Sequence, residues 1–316
     1  MYKIGILIGI IAVLYGIDYL VAFLLKKKGK LNPRQYKMMV RYIPFSVLKY
    51  TVLVGVAAII IVPFAFAFFM SFKTGDDVFR PNIFPAKWVF TNFIAIFKDK
   101  DINLIGSFFN SMLYAIPPVT VGIFTSTMAA FALSRLHFRG RDKIFGALFA
   151  TMCIPGVITL VPSYVMFAKL YGWTDSPLPL LIPGMCGNVG VIFFLRQYLL
   201  TLPKELDEAA FMDGLNKGGI FFKITIPLAW PAMLAQFLLA FNGAYNDFMG
   251  PLMYLGANRD LFTIQLTIYN LFSSNVRQME KVMAACIVAL LPSVVLFFFA
   301  QKYFMGSGIS VDGLKG

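Results

Sequence analysis

The amino-acid sequence predicts an all-α, polytopic helical membrane protein, and three observations carry that expectation. Of 316 residues, 59% are hydrophobic and only 14% charged, with a mean hydropathy of +0.75; a soluble domain carries about 25% charged residues. So little polar surface cannot cover a core against water, which excludes a soluble enzyme and a disordered chain. Apolar runs of roughly the 20 residues needed to cross hydrocarbon recur along the chain. Finally, the formal charge of +13 is bunched in short connectors between those runs, a pattern of membrane topology and not of nucleic-acid binding.

Seven runs qualify as spans, near 4–25, 47–69, 109–133, 144–170, 178–200, 228–252 and 282–304. The first is too long for the apolar core of a signal peptide, lacks an A-x-A cleavage site and runs into Lys26, Lys27, Lys28 and Lys30, so it reads as a retained anchor. Placing the N-terminus outside puts 18 Lys and Arg in the cytoplasmic segments against 10 outside. The positive-inside rule therefore selects an N-out, C-in topology in the cell membrane. The implied organisation is an extra N-terminal transmembrane helix (1–30), a basic cytoplasmic linker (31–46), a transmembrane domain (47–306) and a cytoplasmic tail (307–316). Asp18 reads as a packing or interfacial residue beside the cationic end of the first span. Gly5 and Gly9 form a GxxxG that offers a helix-packing face.

Candidate catalytic groups are scarce. Cys153, Cys186 and Cys286 are far apart in apolar surroundings, and His137 is the lone histidine, so neither a CxxC pair nor a Cys/His metal cluster arises. No G-x-x-x-x-G-K-[S/T] motif occurs, so the chain has no P-loop with which to cradle ATP phosphates. Two outside segments are long: 71–104, with Trp88, Phe90 and Phe93, and 253–281, with Asn258, Arg259 and Asp260. Each reads as a solvated connector or a docking surface for an external partner.

The most informative stretch is 201–227, TLPKELDEAAFMDGLNKGGIFFKITIP. Thr201 is positioned to N-cap a short helix with Pro203 in its first turn. Glu205, Asp207 and Glu208 then fall where the helix dipole favours negative charge, and Gly214 is the residue to stop the helix. Spacing puts Leu206, Ala209, Ala210 and Asp213 on one face and Glu205, Glu208 and Met212 on another. A second helical piece follows through Phe221, Phe222, Ile224 and Ile226 to Pro227, expected to turn the chain into the next span. Taken by themselves these features describe either an amphipathic connector or a docking element at the cytoplasmic face.

Glu208-Ala209-Ala210, Gly214, Ile224 and Ile226-Pro227 match the spacing of the EAA---G---------I-LP signature, with Ile226 replacing Leu. The loop resembles that of permease subunits of bacterial and archaeal ABC importers, and residues 202–231 resemble the maltose-type carbohydrate-uptake subfamily. Tyr245-Asn246-Asp247-Phe248 with Pro251-Leu252 resembles the fifth core span of sugar permeases, often WNDF-x-x-PL, with Tyr245 replacing Trp. The ending Gln301-Lys302-Tyr303-Phe304 and Gly313-Leu314-Lys315-Gly316 is similar to the subfamily's tail. The resemblance covers roughly residues 50–316 and implies a six-span, type I importer core with the N-terminal helix added to it.

That resemblance implies a complex of two homologous permease subunits, two ATPase subunits and an extracellular solute-binding protein, in a lipid membrane, importing a sugar. No cofactor is expected on this chain; ATP and Mg are expected on the partner ATPase subunits. Residues 205–214 would be the coupling helix seated in an ATPase cleft. Glu205, Glu208 and Asp213 are its charged candidates, with Glu208 for an ion pair, Ala209 and Ala210 for close packing, Gly214 for the turn and Pro227 for aiming the next span. For the translocation path, polar residues inside apolar spans are the candidates: Asn110 with Tyr114, and Asn242 and Asn246 with Tyr245. Each of them admits a second reading, interhelical hydrogen bonding. Another solute, such as a polyol or glycerol phosphate, is the alternative within the family. A stand-alone secondary transporter would need its own coupling-ion site, and no paired intramembrane acids supply one.

Overall fold

The computed structural model describes residues 33–99, 102–256, 258–274 and 278–305. The expected first span, its lysine cluster through Lys30 and the tail from residue 306 lie outside the described residues. The chain divides into two compact units, residues 1–69 and 70–316.

Helix α1, Pro33–Ser71, begins within the segment expected to be a linker and carries straight through the apolar run Val47–Ser71. In the second unit follow α2 (Gly75–Val78), α3 (Thr91–Lys98) and the long α4 (Leu104–Arg135). Next come α5 (Arg141–Thr151), α6 (Gly156–Leu170), α7 (Leu178–Met185), α8 (Val189–Thr201) and α9 (Glu205–Met212). The chain then forms α10 (Lys217–Tyr245), α11 (Met249–Tyr254), a 3₁₀ turn at Arg259–Leu261, α12 (Ile264–Ser274) and α13 (Met279–Met305). Among the described residues there is no strand, and five helical stretches are long and apolar enough to cross a membrane.

A sixth crossing needs α5 and α6 together, and here the expected single span 144–170 is corrected. The two helices are bent by 91° at a short break, because Pro155 stands in extended conformation before α6 and cannot continue the helix. The expected span 228–252 is corrected too: α10 ends at Tyr245, and α11 restarts after residues 246–248, with Asp247 Oδ1 accepting from Gly250 N at 3.3 Å. At the other end of that span, Pro227 does not turn the chain. A π-turn at Phe221–Thr225, in which Ile226 N donates to Phe221 O, precedes it and widens the helix where the proline ring would clash.

Two buried clusters fill opposite halves of α4 and α10. One joins Ile123, Ala130 and Phe131 of α4 to Val191, Leu195 and Leu199 of α8, to Ala210 of α9 and to Phe221, Ala229 and Met233 of α10. The other joins Leu104 and Ala115 of α4 to Phe241 and Tyr245 of α10, Ile264 and Leu271 of α12 and Ala285 of α13. With about 1.5 Å of rise per residue, a helix as long as α4 reaches across the whole bundle, so the first cluster marks the loop end and the second the opposite end. Midway, α4 and α7 touch backbone to backbone: a Cβ on Gly122 would stand 2.3 Å from the Gly184 carbonyl oxygen, so only glycine admits this approach.

Candidate functional site

At the loop end, α9 starts later than the hydroxyl of Thr201 suggests. Thr201 remains the last residue of α8, its Oγ1 donating to Tyr198 O at 2.7 Å. Pro203 holds Leu202 extended, with ψ 140°, and Lys204 takes the cap position without a side-chain hydrogen bond. What stabilises the first turn is charge: Glu205, Asp207 and Glu208 lie at the positive end of the helix dipole.

The helix stops as expected. Gly214 has φ +84°, its N–H donates to Phe211 O at 3.0 Å, and Leu215 N donates to Ala210 O at 3.0 Å. These two bonds form a Schellman motif, and Leu215 packs with Ala210 in the loop-end cluster. Asn216 then starts α10 by accepting from Gly219 N at 2.7 Å, a cap the sequence reading passed over although Asn before a helix is its ordinary sign.

The faces of α9 differ from the expected pairing. Ala210 is buried, Asp207 is half-buried, and both join Leu206 on the side toward α4, α8 and α10. Ala209 and Asp213, expected to share that side, are exposed, as are Glu205 and Glu208. Phe211 and Met212 stand 65% and 84% exposed. The outward surface is thus acidic at its start and apolar at its end. Pro227 is exposed within α10, two residues past the π-turn.

Sequence reasoning missed the group that holds α9 in place. Arg135, the last residue of α4, lies with its Nε 3.3 Å from Asp207 Oδ2 and its side chain only 7% exposed.

At the opposite end, the path candidates separate. Asn110 donates from Nδ2 to Asp260 O at 2.7 Å and to Phe262 O at 3.1 Å, tying α4 to the 3₁₀ turn. Tyr245 is 1% exposed and donates its hydroxyl proton to Ala289 O at 2.9 Å. Tyr114 is buried against Leu255, Phe262 and Leu266 and lines a cavity of about 220 Å³ beside Gly122 and Asn188. Asn242 and Asn246 stay exposed: Asn246 Nδ2 donates to Asn242 Oδ1 at 3.0 Å, and Gln265 Nε2 donates to Asn246 Oδ1 at 3.1 Å. Gln265, a full helix away, is an addition the sequence did not suggest.

The long segments also fold. Phe72 packs its ring 5.1 to 5.4 Å from those of Trp88, Phe90 and Phe93, and Asn92 Nδ2 donates to Ser71 O and Lys73 O at 2.9 and 2.8 Å. Asp99, Arg259, Asn270, Ser274, Gln278 and Lys281 line a polar cavity of about 280 Å³.

The described residues form a helical bundle with several stretches long and apolar enough to cross a membrane and a short helix, α9, exposed at the loop end. Residues 122–305 match the family of binding-protein-dependent transport system inner membrane components, and the chain belongs to that family. It is 30% identical over 268 residues to the inner membrane ABC transporter permease protein YcjP of Escherichia coli (strain K12), covering 83% of this chain and 95% of that one. It is 32% identical over 265 residues to the arabinooligosaccharides transport system permease protein AraQ of Halalkalibacterium halodurans, covering 83% and 93%. Among solved structures it is similar to a bacterial ABC transporter involved in the import of the acidic polysaccharide alginate, with TM-score 0.73, 25% identity and coverage of 84% and 98%. The protein is therefore a permease subunit of an ABC importer, an integral membrane protein whose ATP hydrolysis is carried out by a separate subunit.

Proposed function

We propose that this chain forms half of the translocation pathway for an oligosaccharide, beside a second homologous permease subunit, and takes its substrate from an external solute-binding protein. The observation that carries the reading is α9: a helix stopped by a Schellman turn, seated through Ala210 and Asp207, with Glu205, Glu208, Ala209, Phe211 and Met212 facing away from the bundle. In this reading two ATPase subunits, holding ATP and Mg, receive that face in a cleft on the cytoplasmic side, with the N-terminus of the chain outside. Glu208 pairs with a cation, and the exposed apolar residues fill the cleft. Nucleotide-driven closure then moves the bundle between its two states through contacts that differ between them.

The sugar assignment rests on the relatives, which include an arabinooligosaccharide permease and an alginate importer. The exposed amides of Asn242, Asn246 and Gln265 support it, since amides both donate to and accept from hydroxyl groups. Hydrocarbon would not solvate such a group, so this face belongs against the path or the second permease.

The test is ATP hydrolysis by the complex purified from lipid with its ATPase subunits and binding protein, challenged with arabinooligosaccharides, alginate oligomers, a polyol and glycerol phosphate. Stimulation by one of the oligosaccharides is the expected result. Stimulation by the polyol or glycerol phosphate alone would overturn the sugar assignment. Absence of any ATPase subunit from a mild purification would overturn the coupling assignment.

A further inference from the structure

The loop ends of α4 and α8 are joined by two arginines that cross. Arg135 of α4 donates from Nη2 to Leu199 O at 2.7 Å and to Leu202 O at 2.9 Å, the carbonyls at the end of α8. Arg196 of α8 answers by donating from Nε to Leu133 O at 3.2 Å, within the last turn of α4. Helix C-termini leave carbonyls short of intrahelical partners and carry the negative end of the dipole, so each cation adds donors and positive charge at the end of the other helix. Each also reaches one further helix. Arg196 stacks 4.0 Å over the Phe145 ring of α5 and has Nη2 3.8 Å from Asp142 Oδ1. Arg135 spends its remaining edge on Asp207 of α9.

Among the described residues, Arg135–Asp207 is the one ion pair between α9 and the rest of the protein, and Ala210 is the one side chain of α9 that is buried. Ala210, with Leu206 at the rim, holds the helix close but constrains its rotation weakly, because apolar attraction is non-directional. The planar guanidinium, with its donors in a rigid fork, does fix direction. We propose that Arg135 is the positioning residue that binds α9 to α4 and α8 as one rigid unit, so that a push on α9 is delivered to both helices. This rests on the reading that α9 is the surface an ATPase subunit grips.

The experiment uses the full complex with its ATPase subunits in lipid, with Cys153, Cys186 and Cys286 replaced by serine and spin labels at Lys204→Cys and His137→Cys, two exposed sites on either side of the pair. Label separation is measured without nucleotide and with a non-hydrolysable ATP analogue. In the parent the separation is expected to be the same in both conditions. In Asp207→Asn, which keeps the size of the side chain and the carbonyl bonds of Arg135, it is expected to broaden or shift on nucleotide binding while ATPase subunits co-purify at parental levels. Arg135→Lys, which keeps the charge and loses the fork, is expected to behave like Asp207→Asn. A parental separation that already changes with nucleotide would overturn the proposal, as would an Asp207→Asn complex identical to the parent. Loss of insertion or of ATPase co-purification in Asp207→Asn would also overturn it, since the pair would then serve assembly. Failure of the parent to retain ATPase subunits would instead sink the reading of α9 as the gripped surface.

Discussion

The loop end and the opposite end of the bundle spend their polar groups differently. At the loop end, the order is mostly local: acids in the first turn of α9, a glycine with positive φ after it, Asn216 capping the next helix, and only then two arginines reaching across. At the opposite end, several buried or half-buried polar side chains are used on partners distant in sequence. Ser107 and Thr267 share a hydrogen bond of 2.6 Å, Ser111 accepts from Ile264 N at 2.8 Å, and Asn110 and Tyr245 bond carbonyls of other elements. The cause is backbone irregularity. Between the end of α10 and the start of α12 the chain breaks into α11 and a 3₁₀ turn, and non-helical backbone away from water needs side chains to satisfy it. A polar residue in an apolar span is thus a path residue only after such duties have been subtracted.

Four tests would break or sharpen this comparison, taken from the largest effect to the smallest. Glu208→Lys reverses charge on the outward face of α9 and touches nothing within the bundle; uptake by cells is expected to fall to background with membrane insertion unchanged. Normal uptake would remove Glu208 from the docking surface. Gly122→Leu places a side chain against the Gly184 carbonyl midway between the two ends, and overpacking of this kind costs about 1–3 kcal/mol or more. A lower melting temperature in detergent checks it, and an unchanged one would mean that α4 and α7 separate freely.

The third is a contrast between two asparagines. Asn110→Ala removes two hydrogen bonds to backbone carbonyls and is expected to cost about 1–3 kcal/mol of stability, read as a lower melting temperature with a matching loss of protein. Asn242→Ala removes an exposed amide and is expected to lower uptake several-fold at unchanged melting temperature. If the two behave alike, the division between structural and path residues fails. Smallest is Gly214→Ala, where no atom lies within 4 Å of the added methyl and only the left-handed backbone resists, at about 1–2 kcal/mol. Reduced ATPase co-purification is expected, and Gly214→Asn should restore part of it, because asparagine tolerates that conformation.

How far each end was legible follows from the range of the forces involved. The spacing of Glu208, Ala209, Ala210 and Gly214 foretold a helix that starts with acids and stops at the glycine, since dipole, capping and φ preferences act within a turn or two. The same reading misassigned Ala209 and Asp213 to the inner face and missed Asp207, because the inner face is chosen by where Arg135 lies, more than 70 residues earlier in the chain. Asn110 and Tyr245 carried the signal expected of path residues, an expensive polar group in an apolar run. Nothing near them in sequence announced that Asp260, Phe262 and Ala289 would supply their acceptors.

By itself the sequence determined the class of the protein, the apolar lengths of most spans, and the short helix of the 201–227 loop with its stop at Gly214. Those follow from hydrocarbon thickness, composition and local backbone preference. Only the tertiary structure decided the bend between α5 and α6, the break after Tyr245, the crossed arginines and which asparagines stay exposed. Each of these depends on which carbonyl stands opposite which donor once the helices pack, and that is a property of the assembled bundle.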